Sequence, residues 1–327
     1  MLIDVVRPEM WEELNDHLKT HFLLDPKVNA RAYFGLAQAV FEIAQGTSHF
    51  MAHKRSIAAV MGQTPAFEHI LPYYYKEAYQ VQTIDHGQLS DVRQWVESLN
   101  KDTGFVLVAE DHPVTGETYP FVEEVDRLLN EKRILVLRVS HARHFFERVE
   151  LRPYTVRLCS FDPDHAVALC GERFRSPSLA TQGMTWNQDH FLTHIESARK
   201  GREQNPSLIA EFEKQIQGVA ELWFKEGSAR LNDRAVCVLP DVSAEAVLKA
   251  LVKKLGMPAV EAVAVLGTTN LCEWDAIRMF NWWKPAPSQN QLRGLIVISP
   301  ALLSIKDFAK HFVSAYEEIK QQQSWDL

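Results

Sequence analysis

Histidine is the residue type best placed to do chemistry in this chain. There are 13, and three pairs, His17/His21, His49/His53 and His190/His194, are spaced four apart. On a helix that spacing puts both imidazoles on one face, as a metal site requires. No glutamate follows the first histidine of any pair, so the H-E-x-x-H pattern of zinc hydrolases is missing. With so many histidines, pairs arise by chance, and no metal is expected. Anion chemistry has other candidates. His53-Lys54-Arg55-Ser56 places three basic side chains before a serine that would cap a helix start, a combination that suits an anion, although no glycine is present to let the backbone approach. Arg173, two residues after Gly171, reads either as a phosphate or carboxylate clamp or as a surface arginine paired with an acid. Arg293, entering an apolar run, leaves the same two readings open. The proline-punctuated stretch Phe280–Pro287 carries Trp282 and Trp283, which would serve as a pocket wall, an interface patch or core packing.

The elements that must position these residues follow from hydrophobic period. Ala30–Ala44 has apolar residues at helical spacing and stops at Gly46. Gly62, Pro65 and Pro72 then divide the chain into short pieces. From Tyr79 the rhythm changes. Gly104–Ala109 (GFVLVA), Arg133–Val139 (RILVLRV), Tyr154–Cys159 (YTVRLC) and Ala166–Cys170 (AVALC) read as buried strands, with Phe121–Leu129 a helix between the first two. Such alternation predicts a mostly parallel sheet with helices on its faces. Ser140, His141 and His144 follow the second of these strands as a polar stretch. Further on, Leu208, Phe212, Ile216, Val219 and Trp223 form one helical stripe. Arg234–Leu239, Val263–Leu266 and Leu295–Ser299 read as strands. Ser243–Leu255 and Ser304–Ile319 read as helices, the latter capped by Ser304.

Composition narrows the class. Hydrophobic residues at 46% and charged residues at 24% describe an ordinary globular chain, not a disordered one. The net charge of −7, with both signs interspersed, offers no footprint for nucleic acid or an anionic membrane. The apolar runs are too short to span a bilayer, and Met1–Arg7 lacks the layout of a secretory signal. Cys159, Cys170, Cys237 and Cys272 have neither C-x-x-C spacing nor scaffold density, so free thiols in a reducing cytoplasm are expected.

In their order, these pieces resemble the fold-type-I pyridoxal-phosphate (PLP) family, the aminotransferase superfamily, from about Ala30 to the C-terminus. Asp111-His112-Pro113-Val114-Thr115-Gly116 is similar to the family's Asn-Pro-x-Asn-Pro-Thr-Gly turn. Val139-Ser140-His141-Ala142 resembles its Val-Asp-Glu-Ala turn, and Ser160-Phe161 followed by Gly171-x-Arg173 resembles its Ser-Phe-Ser-Lys…Gly-x-Arg loop. Pro72-Tyr73-Tyr74-Tyr75 resembles the Pro-x-Tyr before the second large-domain strand, and His53–Ser56 the first phosphate-holding turn. The resemblance implies cofactor contacts at Ser56, Tyr74, His112, Ser140, Ser160 and Arg173, and substrate contacts at Arg293 and Trp282. It also implies a homodimer.

The departures from the family decide the chemistry. The lysine that holds PLP covalently falls on His165, and no lysine occurs between Lys132 and Lys200. An imidazole forms no stable Schiff base, and the family's lysine is also its proton carrier. The aspartate that keeps the pyridine nitrogen protonated falls on Ser140, which can hydrogen-bond but supplies no charge. Three functions follow as expectations. One is an aminotransferase-like protein that binds a small acidic ligand or runs a lysine-independent reaction. A second is an enzyme using non-covalent PLP or pyridoxamine phosphate (PMP), with His165 as general base and Ser140 beside it. The third is a non-catalytic pseudoenzyme with a structural or regulatory role. The expected fold is α/β of the PLP-transferase kind: an N-terminal helical segment over 1–30, a large domain over 31–225, and a small α+β domain over 226–327.

Overall fold

The computed structural model describes residues 16, 29–51, 53–62, 65–112, 114–141, 151–162, 165–174, 206–223, 234–256, 288–298 and 300–325. The chain divides into two compact units, Met1–Pro113 with Tyr119–Arg199, and Val114–Thr118 with Lys200–Leu327.

The first unit is built on a seven-stranded sheet. Its strands are β1 (Asn29–Phe34), β2 (Ser56–Met61), β3 (Gln80–Asp85), β4 (Thr103–Ala109), β5 (Leu135–Ser140), β6 (Thr155–Asp162) and β7 (His165–Cys170). Their order in space is β1-β7-β6-β5-β4-β2-β3. The pairs from β3 through β6 are parallel, whereas β7 runs antiparallel to both β6 and β1. Helices α1 (Leu36–Phe50), α2 (Pro65–Lys76), α3 (Val92–Ser98) and α4 (Val122–Glu131) connect the strands. Every residue of β2 and β4 is buried, as expected for parallel strands covered on both faces. On one face Ala58, Val60, Val106, Val108 and Val136 pack against Trp95 and Val96 of α3 and Val125 and Leu129 of α4. The mostly parallel α/β architecture expected from the sequence is the one observed.

In the second unit, β8 (Glu221–Leu222), β9 (Ala235–Val238) and β10 (Leu295–Ile298) form an antiparallel sheet in the order β10-β9-β8. It shares a core with the helix at 206–215 (α5), α6 (Ala244–Leu255) and α9 (Phe308–Trp325), while the short helices α7 (Gln289–Gly294) and α8 (Pro300–Leu303) flank β10. Phe212 meets Phe312 edge-on with centroids 5.4 Å apart. Among the described residues no helix is long and apolar enough to cross a membrane.

Several local expectations are corrected. Asn29–Phe34 is a strand, and helix α1 begins only after Gly35 and runs through Gly46 to Phe50. Pro72 lies inside α2 and does not end it. His53–Ser56 leads into strand β2, so Ser56 caps no helix. Trp223 follows β8 and does not extend the α5 stripe. The last helix starts at Phe308, and Ser304 sits in the turn before it. Val263–Leu266 lies outside the described residues.

Candidate functional site

Sheet topology decides which residues can meet. Because β2 to β6 are parallel, their carboxyl ends share one edge; β7 begins at that edge and β1 ends there, since Phe34 pairs with His165 and His165 with Asp162. This carboxyl edge is where open α/β sheets bind ligands. It carries Gly35, Gly62, Asp85–His86, Glu110–His112, Ser140–His141 and the β6–β7 hairpin with Asp162 and His165.

At the centre of this edge, Asp111 and His141 hold each other. Both oxygens of the fully buried Asp111 carboxylate accept the backbone N–H of His141, at 2.9 and 3.1 Å. In return Nδ1 of His141 lies 3.2 Å from the Asp111 carbonyl oxygen and 3.7 Å from Oδ2. His112 and Ser140 beside them are also buried. Ser140 pairs with Cys159 across β5 and β6. Burial raises the Cys159 thiol far above its usual value, so it is protonated and no nucleophile.

Directly behind the end of β4, Glu110 accepts from Arg138 Nε at 2.6 Å and from Arg157 Nε and Nη2 at 2.9 and 2.6 Å. Arg138 continues to Asp126 at 3.1 Å and Glu123 at 2.6 Å on α4. Two neighbouring strands thus each place an arginine on the helix side, and one glutamate holds both. Burial pushes Glu110 up, but the two guanidiniums outweigh it and hold the carboxyl below its usual value. The cluster ties α4 to the sheet and anchors the segment that carries Asp111.

The turn from β1 into α1 supplies the edge with a second kind of group. Gly35 has φ 74° and ψ 156°, a conformation that favours glycine, and no side chain caps the helix. Gly35 itself offers no side chain to the first-turn N–H groups of this 15-residue helix, and the positive end of its dipole lies at the same edge. On the far flank His86 places Nδ1 3.4 Å from the Met61 carbonyl and 3.5 Å from Asp85.

The sequence candidates divide accordingly. Ser140, Ser160 and His165 belong to strands that end or begin at the carboxyl edge, and His112 follows β4 there; the side chains of Ser160 and His165 are outside the described residues. Ser56 does not join them: it opens β2 at the opposite, amino edge, buried beside Thr103. Its basic neighbours serve the fold there, Lys54 bonding the Thr103 carbonyl at 3.3 Å and Arg55 lying 5.1 Å from the Tyr79 ring centroid. Tyr74 is core, packed edge-on against Tyr79 and Phe105. Arg173 follows the far end of β7, exposed, with its N–H on the Pro153 carbonyl at 2.9 Å. The five steps of β7 from His165 to Cys170 already span about 17 Å, and Arg173 comes three residues later. Gly171-x-Arg173 closes the β7 end, because Gly171 packs its Cα against the carbonyls of Arg152 and Pro153. Arg293 is exposed at the end of α7, one residue before the close approach of Gly294 to the Leu239 backbone. Trp282 lies outside the described residues.

Two parts of the site escaped sequence reasoning. Gly35 was hidden inside an apolar run that reads as one helix. Asp111 and His141 stood in motifs at two strand ends, but nothing in the sequence shows that residues 30 apart exchange hydrogen bonds. Lysines are placed oppositely. Those described in the first unit, Lys54, Lys76, Lys101 and Lys132, precede β2, end α2, precede β4 and follow α4, all at the amino edge. Among the described residues no group of three or more metal-ligating side chains occurs.

The architecture is shared with known enzymes. A NifS-like protein superposes with a TM-score of 0.67 at 13% identity, over 95% of this chain and 87% of its own. A NifS-like protein from Rickettsia africae gives 0.67 at 10% identity, over 96% and 89%. A phosphoserine aminotransferase from Cytophaga hutchinsonii gives 0.61 at 14% identity, over 95% and 88%. No family model matches the sequence, and comparison with curated protein sequences finds no match. The chain has the fold of the fold-type-I PLP-dependent enzymes.

Proposed function

We propose that this protein uses the carboxyl edge of its large sheet to bind a small phosphate- or carboxylate-bearing ligand without covalent attachment, and that any reaction it runs there is lysine-independent. One observation carries this: a helix N-terminus with glycine at its cap position and a set of buried polar residues share that edge, while the described lysines of the first unit all lie at the other.

PLP and PMP can be tested against these residues. The N–H groups of α1 after Gly35 fit a phosphate, as helix N-termini do. Ser140 and the Asp111–His141 pair offer polar partners for a pyridine ring. The β6–β7 hairpin, in a lysine-free stretch from 133 to 199, does not fit a covalent anchor. Bound non-covalently, such a cofactor would supply an electron-accepting ring. His165, the first residue of β7, stands where the resembling family has its lysine, and the reading gives it the role of proton acceptor there. The reading takes the protein as a cytoplasmic homodimer acting on a small molecule, with neither nucleic acid nor membrane as partner.

Equilibrium dialysis against PLP and PMP, followed by borohydride treatment and mass spectrometry, tests this. Saturable retention with no pyridoxyl group on the protein is expected. A reduced pyridoxyl adduct would show that a lysine anchors the cofactor after all. No retention of either compound, nor of a simple phosphate ester, would leave a non-catalytic role. His165→Asn should retain the ligand and lose any turnover found.

A further inference from the structure

The second unit holds a cavity of about 830 Å³, lined on one side by α5 and on the other by the stretch from α8 into α9. Its apolar lining includes Phe212 and Phe308, both buried with ring centroids 5.8 Å apart, and the half-buried Leu208, Ile305 and Val313. A volume in this range suits a small molecule, which a mostly apolar wall buries and a few polar groups orient.

The charges on the lining are uneven. Asp307 and Lys310 pair with each other at 2.6 Å. Glu211 on α5 accepts from the neutral Gln215 amide at 3.1 Å and has no cationic partner among the described residues. The described lining therefore carries one carboxylate in excess beside an aromatic wall. Asp307 also holds φ 57° at the turn into α9, a left-handed backbone that costs an L residue energy and concentrates at binding sites. A carboxylate at the mouth of an apolar cavity selects by charge, attracting an ammonium group and repelling an anion.

We propose that this cavity binds a small molecule with an apolar body and one protonated amine. Glu211 holds the amine through charge, and Phe212, Phe308, Ile305 and Val313 bury the body. The site lies wholly within the second unit and stands independently of the carboxyl-edge reading.

Methyl NMR of the full chain labelled at isoleucine, leucine and valine tests this, with 1-naphthylmethylamine, 1-naphthylmethanol and 1-naphthylacetate as probes. The amine, protonated at pH 7, should shift the methyls of Leu208, Ile305 and Val313 saturably. It should bind about twofold to fivefold more tightly than the alcohol, the scale of one exposed ion pair, and the acetate should bind more weakly than either. Glu211→Gln should remove the amine's advantage. Lys310→Ala should enlarge it by a similar factor, because Asp307 is then released. Neither variant should alter binding of the alcohol, and both side chains are exposed, so the fold is kept. Raising the salt concentration should shrink the preference. Methyls that stay unmoved with all three probes overturn the proposal, as do equal affinities for amine, alcohol and acetate. Shifts of the same methyls on dilution of the protein alone would mean that a second copy covers the cavity, which also overturns it.

Discussion

Glu110 and Asp126 both face Arg138 and burial pushes both up, yet their net shifts run in opposite directions. For Glu110 burial raises the pKa, but Arg157 and Arg138 together bring it below 4.5. For Asp126 burial again raises it, and here Arg138 and the Thr155 hydroxyl do not compensate, partly because Glu123 adds a like charge, so it ends above 3.8. The linkage signs differ accordingly. Glu110 contributes stability above its unfolded pKa, and this is lost as pH falls through its lower folded value. Ionised Asp126 costs the fold stability at neutral pH, a cost relieved as pH falls through its raised value. Glu110→Gln should therefore lose about 3 kcal/mol at pH 7, since it leaves two buried guanidiniums short of charge. Asp126→Asn should lose about 1 kcal/mol, the scale of a single imperfect hydrogen bond. Urea melts at pH 7 compare them, and equal losses would contradict the charge assignment. Repeating the melts below pH 4.5 should shrink the Glu110→Gln deficit.

At the scale of elements, two strand ends depend on glycine. At Gly35 the backbone makes the turn from β1 into α1 with φ 74° and ψ 156°. Gly35→Ala should cost about 1–3 kcal/mol in thermal stability and weaken phosphate-ester binding, because the first-turn N–H groups would no longer face the edge. At Gly171 the obstacle is space: an added Cβ would enter the carbonyls of Arg152 and Pro153. Gly171→Ala should cost about 1–3 kcal/mol with no specific effect on binding, as it lies at the amino edge. Melting and dialysis on both variants separate the two effects. The same elements show what the sequence makes legible. β4, β5 and β7 announce themselves because a strand buried on both faces is a short, nearly continuous apolar run. β1 does not, because Arg31 interrupts it and its apolar residues merge into the period of α1. β2 is half alanine and sulfur, Ser-Ile-Ala-Ala-Val-Met, with little β-branched signal. The position of Arg173 is hidden for a related reason. A Gly-x-Arg spacing carries no information about which end of a strand it occupies, and that end is decided by β7 running antiparallel to β6.

For the whole molecule, the mostly parallel class of the sheet was legible from β4, α4, β5, β6 and β7, because alternating β and α elements admit few arrangements, whereas β1, β2 and β3 were not. The site was legible only as a set of strand ends; the pairing of Asp111 with His141 is a long-range contact that no local pattern encodes. The core is divided as well. One cluster joins β2, β4 and β5 to α3 and α4, and another joins β9 and β10 to α5, α6 and α9. A unit with its own hydrophobic core has the means to open on its own. Phe312, fully buried where it meets Phe212 and Phe308, tests this. Phe312→Ala should cost about 3–5 kcal/mol through the cavity it leaves. In native-state hydrogen exchange that loss should appear in the amides of β9, β10, α6 and α9. The amides of β4, β5 and β6 should stay within about 0.5 kcal/mol of the parent protein. A uniform fall across both sets would mean that the chain opens as one cooperative body, and that a ligand at the carboxyl edge would stabilise the second unit as strongly as the first.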